Sequence, residues 1–152
     1  MKACFLLIAT ICIASQCAAQ DAETAIPESV KQYIDAKTIA VGWIDISKLN
    51  IDELTRFQES INGASPNMDE AKEIRNALVQ LGVTNIYWCT DLANITKGPQ
   101  AVIVPSPKDR RQVISTILAA VAAESKGIAV VVDNAVLVGS PEIVEQLQAK
   151  NK

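Results

Sequence analysis

The side chains best able to do chemistry here are carboxylates, one thiol and a short basic cluster, because the 152 residues include no histidine. Histidine is the commonest general base near neutral pH and the commonest metal ligand, so those roles would fall to other groups. Asp45 closes one apolar run and Asp91 closes another. If those ends are neighbours in a sheet, two carboxylates face each other across a cleft, as a carboxylate-based hydrolase requires. Asp133, in a short polar turn, is a third acid. The plainer reading is that all three are strand-end and turn residues, where Asp bonds nearby backbone. No paired catalytic motif accompanies them. Nor does any loop gather the several oxygen ligands that calcium takes.

Cys89 sits in Tyr87-Trp88-Cys89, an apolar stretch. A nucleophilic thiol needs a basic neighbour or a helix N-terminus to lower its pKa. In an apolar strand a cysteine is more often a small buried hydrophobe. Lys108, Arg110 and Arg111 crowd the start of the longest helical pattern. Positive charge there opposes the helix dipole. The misfit marks a candidate surface for an acidic protein partner or a polysaccharide, weighed against a solvated face partly offset by Asp109. Ser106 and Ser140 each precede a proline and read as helix caps, although the amides behind them could also meet an anion. Asn94-Ile95-Thr96 matches the glycosylation triplet. The chain has no Gly-rich phosphate loop, no G-x-S-x-G elbow and no Cys-x-x-Cys pair. Serine-hydrolase, nucleotide, zinc and redox-exchange chemistry therefore lack support, and no cofactor is implied.

The elements that would position these groups follow from periodicity. Pro27 can start a short helix with Val30, Tyr33 and Ile34 on one face. Residues 37–46 (KTIAVGWIDI) are apolar on both faces of a strand, which predicts a central, doubly covered position. Asn50 with Glu53 forms a capping-box-like start for a helix striped by Ile51, Leu54, Phe57 and Ile61, and Gly63 is a plausible stop. Ser65-Pro66-Asn67 opens a second helix, striped by Met68, Ala71, Ile74, Leu78 and Leu81 and closed by Gly82. The two form a helical hairpin on one side of the sheet.

Residues 85–90 and 100–104 read as strands, with a polar loop over 91–99 between them. The helix after Ser106-Pro107 carries Val113, Ile114, Ile117, Leu118 and Val121 and ends at Gly127. Residues 128–132 and 135–138 flank Asp133-Asn134 as a tight hairpin. Ser140-Pro141-Glu142 opens the last helix. Residues 102–107 and 136–141 echo each other as a strand followed by Ser-Pro. Shared use of a good cap explains this more simply than duplication. Strands cluster in hairpins rather than alternating with helices. The expected class is α+β, a mainly antiparallel four- or five-stranded sheet with helices packed on it.

Composition sets the compartment. The chain is 49% hydrophobic and 20% charged with a formal charge of −3, too apolar for a disordered protein and without the basic footprint of a nucleic-acid binder. Lys2, the uncharged apolar run 3–15 and the small residues 16–19 have the order of a secretory signal peptide, with cleavage after Ala19. About 13 apolar residues fall short of the roughly 20 that span a bilayer, so no stable membrane span is expected. Cleavage removes Cys4, Cys12 and Cys17, leaving Cys89 with no cysteine to pair with in an oxidising compartment. Fourteen basic residues less Lys2 leave 13 against 17 acidic, a net charge of −4 for the mature chain. The expected organisation is a signal peptide over 1–19, a polar lead-in and short helix over 20–37, and a single α+β domain over 38–150.

Two stretches resemble uncharacterised exported bacterial proteins. One is Ile26-Pro27-Glu28-Ser29-Val30 leading to residues 40–49 (AVGWIDISKL); the other is residues 130–142 (VVVDNAVLVGSPE). The shared features are a strand ending in Asp-hydrophobic-x-x-Leu and a late hairpin running into Gly-Ser-Pro-Glu. The resemblance covers about a third of the mature chain. It implies an extracytoplasmic α+β domain and no catalytic residue, in proteins that often carry further units after the hairpin. The resulting expectation is a non-enzymatic periplasmic or secreted domain that binds a partner. The alternatives are the Asp45/Asp91 hydrolase and a single unit or fragment of a larger exported assembly, including self-association.

Overall fold

A computed structural model describes residues 26–34, 38–62, 68–91 and 101–149. Helix α1 (Glu28–Lys31) precedes strand β1 (Thr38–Asp45), and helices α2 (Ile51–Asn62) and α3 (Asp69–Gln80) follow. Strands β2 (Asn85–Asp91) and β3 (Ala101–Pro105) lead to helix α4 (Arg111–Ala123). Strands β4 (Ile128–Val131) and β5 (Ala135–Gly139) and helix α5 (Pro141–Ala149) complete the described chain. The strand order is β1-β2-β3-β5-β4, with every neighbouring pair antiparallel. The class is α+β: an open five-stranded antiparallel sheet with helices packed on both faces. β3 and β4 run parallel with β5 between them, and α4 makes the crossover.

The register decides which side chains share a face. Tyr87, Cys89, Ala101, Ile103 and Leu137 point to one side, where α1 contributes Val30 and Tyr33 and α5 contributes Val144 and Leu147. Val104 and Val136 point to the other, where they meet Leu78 of α3 and Ile114 and Leu118 of α4. Each fully buried aliphatic side chain contributes roughly 1.5–3 kcal/mol. Val30 and Tyr33 lie in this core and Ile26 packs against it, so α1 is part of the packed body.

Helix ends follow local chemistry. Asn50 Oδ1 accepts from the amides of Asp52 and Glu53 at 3.2 and 3.3 Å, capping α2 as the sequence suggests. At the end of α3, the Gly82 amide donates to Val79 O and the Val83 amide to Leu78 O, with Gly82 at φ +86°. This is a Schellman closure, and it drives Val83 into the core beside Leu78. The expected start at Ser65-Pro66-Asn67 and the stop at Gly63 lie outside the described residues.

Four expectations are corrected. β1 is an edge strand, not a central one. Its two-sided apolarity has another cause: Ile44 packs with Ile51, Met68 and Ala71 of the helical hairpin, while Val41 leans on the Tyr33–Tyr87 core across the sheet. Val113 leaves the buried stripe of α4 and is 52% exposed, because that helix seats Ile114, Ser115, Leu118 and Ala122 instead, and Phe57 likewise leaves the stripe of α2 at 48% exposed. The left-handed residue closing α4 is Lys126, φ 60°, and Gly127 follows it with its amide on Ala122 O. Finally, the Ser-Pro echo is not repeated in structure. Pro141 is the first residue of α5, with the Ile143 amide on Ser140 Oγ at 3.4 Å. Pro107 instead opens a turn, and α4 starts only at Arg111.

The hairpin around Asp133-Asn134 forms as expected, with the Val132 amide donating to Ala135 O at 3.0 Å.

Candidate functional site

Asp45 and Asp91 are not brought together. Asp45 pairs with Asn85 across β1 and β2, whereas Asp91 pairs with Thr38 at the opposite end of the same ladder. Six strand residues at about 3.3 Å each separate them by roughly 20 Å. The hydrolase geometry therefore fails: consecutive antiparallel strands place their C-terminal ends at opposite edges of the ladder. Asp45 serves the turn that follows it. Its Oδ1 accepts from the Ser47 amide at 3.0 Å and from the Ser47 hydroxyl at 2.5 Å, and Oδ2 meets Lys48 Nζ at 3.1 Å. The Ser47 hydroxyl, and after it Lys48, hold this carboxyl below its ordinary range. Asp133 is exposed in the hairpin turn.

Cys89 lies on the covered face of β2 among Tyr87, Ala101 and Ile103. It takes the place of a small hydrophobe, and burial of its neighbour Tyr87 pushes that phenol up. Ser106 Oγ is buried without a hydrogen-bond acceptor or donor among the described residues. Asn94-Ile95-Thr96 lies outside the described residues.

The basic cluster divides. Arg110 Nη1 donates to Gln80 O at 3.1 Å, at the C-terminal end of α3. A cation there complements the dipole of α3 even though it opposes that of α4. Arg111 Nε donates to Ser106 O at 3.0 Å and Nη1 reaches Val132 O at 3.5 Å. Lys108 is exposed in the intervening turn. Two of the three charges thus tie the start of α4 to neighbouring backbone.

Two features lay beyond sequence reasoning. The first is a cleft of about 330 Å³ between the β1–α2 corner and α3, lined by Lys48, Asn50, Asp52, Lys72, Arg75 and Asn76 among others. Lys72, Arg75 and Asn76 lie outside the apolar stripe of α3, and only the fold brings them into one lining with Lys48. Arg75 Nε donates to Ile46 O at 2.8 Å, Nη2 to Ser47 O at 2.6 Å and Nη1 to Asn76 Oδ1 at 2.8 Å. Lys72 meets Asp52 at 2.6 Å, which holds the Asp52 carboxyl down and pushes the ammonium up.

The second is the outer edge of β1. No described strand pairs with it, and the side chains over 38–44 carry no charge and no proline. Trp43, opposite Tyr87, is 42% exposed beside it. A long uncharged edge is what sheet proteins ordinarily avoid.

No described helix is long and apolar enough to cross a membrane. No protein-family model matches the chain, and no curated protein or solved structure matches it either.

Proposed function

We propose that this chain is an exported, non-enzymatic domain that binds a partner protein by accepting an extended apolar segment along β1. The observation that carries this reading is the eight-residue edge with Trp43 exposed beside it. Edge strands in monomeric sheets are blunted by Lys, Pro, bulges or short length. The other edge, β4, has only four residues. β1 has one register shift, between Thr38 and Ala40, and none from Ala40 to Asp45. Unpaired backbone amides and carbonyls give affinity in strand addition, and an aromatic beside them gives side-chain selectivity. The signal-like order of residues 1–19 supports export, and N-terminal sequencing of the exported protein should begin at Gln20. Separation of Asp45 from Asp91 removes the motive for a carboxylate hydrolase.

The test is an amide-resolved NMR titration of residues 20–152 with an eight-residue alternating Val/Thr peptide. Shifts should concentrate in residues 40–45 and the Trp43 indole, and Ala40→Lys should weaken them about tenfold without changing the melting temperature. Unshifted β1 amides at saturating peptide overturn the reading. A mass that doubles with concentration and is returned to monomer by Ala40→Lys assigns the edge to a second copy instead.

A further inference from the structure

We propose that the cleft between the β1–α2 corner and α3 binds a small oxyanion, a phosphate or carboxylate group on a compact ligand. This goes beyond the strand-pairing role and rests on other residues. A guanidinium has five N–H groups. Three of those on Arg75 go to Ile46 O, Ser47 O and Asn76 Oδ1. Two are left without an acceptor among the described residues, and none of the ion pairs found there neutralises Arg75. The charge is held in position by its own bonds before any ligand arrives. Such preorganisation lowers the ordering cost of binding. A planar fork with two donors to spare suits the two oxygens of a carboxylate or phosphate.

Lys48 and Lys72 also line the cleft, against one lining carboxylate, Asp52. Three cations to one anion reverse the sign of a chain that is acidic overall. Asp45 beside Lys48 and Asp69 near Lys72 border the cleft and bring the anions there to three, equal to the cations, yet Arg75 enters none of the ion pairs found among the described residues. Each existing pair has one solvent-facing member: the Lys48 side chain is 84% exposed against 21% for Asp45, and Asp52 69% against 40% for Lys72. Exposed pairs of this kind are worth little, so an incoming anion exchanges with them at low cost. The cleft volume, about 330 Å³, sits at the small end of ligand sites.

The experiment is an NMR titration of residues 20–152 at constant ionic strength with sodium phosphate, with sodium succinate and, as control, with sodium chloride. Saturable shifts at residues 47–52 and 72–76, with a dissociation constant near the millimolar range, support the site. Shifts with phosphate alone, with succinate alone or with both name the oxyanion preferred. Lys72→Gln should weaken binding about tenfold. Lys48→Gln, which touches none of the Arg75 bonds, should weaken it severalfold in a protein that loses the Asp45 pair but stays folded. Non-saturating shifts, or equal shifts with chloride, overturn the proposal. Shifts confined to residues 40–45 also overturn it and leave the strand-pairing role intact.

Discussion

The indole of Trp88 lies against Gly42, its direct antiparallel neighbour on β1, so that a β-carbon at position 42 would overlap the ring. The glycine is required by close approach, not by backbone conformation. A large aromatic covering a cross-strand glycine restores apolar contact that the missing side chain would have made. Gly42→Ala should therefore destabilise the domain by about 1–3 kcal/mol, in line with other overpacked sites. Trp88→Leu combined with Gly42→Ala should recover part of that loss. Urea denaturation of the four proteins of the cycle measures the coupling, and additive losses would show that the two residues act independently.

Lys126 holds a left-handed conformation that costs an L-residue about 1–2 kcal/mol. Glycine adopts it freely, as Gly82 does at the equivalent point after α3. Lys126→Gly should raise stability by roughly 1 kcal/mol, and Gly82→Ala should lower it by a similar amount. Gly127→Ala should destabilise too, because its β-carbon would press on Gly139 O at 3.1 Å. Thermal unfolding of the three variants separates these signs. A destabilised Lys126→Gly protein would show that the lysine side chain contributes more than its backbone conformation costs.

Local signals were legible where the chain itself closes the interaction. Asn50 is two and three residues from the amides that it caps, and Asp133-Asn134 sits between two strands short enough to read by eye. The class followed from hairpin clustering. Strand order did not, because apolarity on both faces of β1 reports burial by helices as readily as burial between strands. The same gap hid the cleft. Arg75 lies 29 residues from Ile46, and no periodicity records a bond made at that separation. It also allowed Asp45 and Asp91 to be imagined side by side, since each ends a strand and only the register shows that the ends diverge.

The two arginines before and at the start of α4 should contribute to folding, and Lys108 should not. Arg111 reaches Ser106 O and Val132 O, so it links the β3–α4 connection to the β4–β5 turn. Hydrogen bonds from a charged donor contribute about 1.5–3 kcal/mol when well formed, and less at partly exposed positions. Arg111→Ala should cost about 1–2 kcal/mol. Arg110→Ala, which releases Gln80 O, should cost about 1 kcal/mol or less. Lys108→Ala should stay within about 0.5 kcal/mol of the parent. Chemical denaturation gives all three. Equal, negligible effects would return the whole cluster to the role of a partner-facing surface.

The pH dependence of the β1–α2 corner follows from Asp45. Its folded-state carboxyl is held below the ordinary value of 3.8, chiefly by the Ser47 hydroxyl and next by Lys48. A carboxyl with a depressed folded pKa binds protons less readily in the native state than in the unfolded one. Its contribution is therefore fully present above about pH 3.8 and disappears as the pH falls through the lower folded value. Asp45→Asn should thus melt below the parent at neutral pH, and the gap between the two curves should close on acidification. Ser47→Ala removes the largest cause of the shift and should weaken the same dependence by more than Lys48→Gln does. Melting curves of the parent and the three variants from neutral pH into the acid range decide it. A gap between parent and Asp45→Asn that stays constant through that range would mean that the Asp45 charge contributes nothing, and that only the shape of the side chain holds the turn.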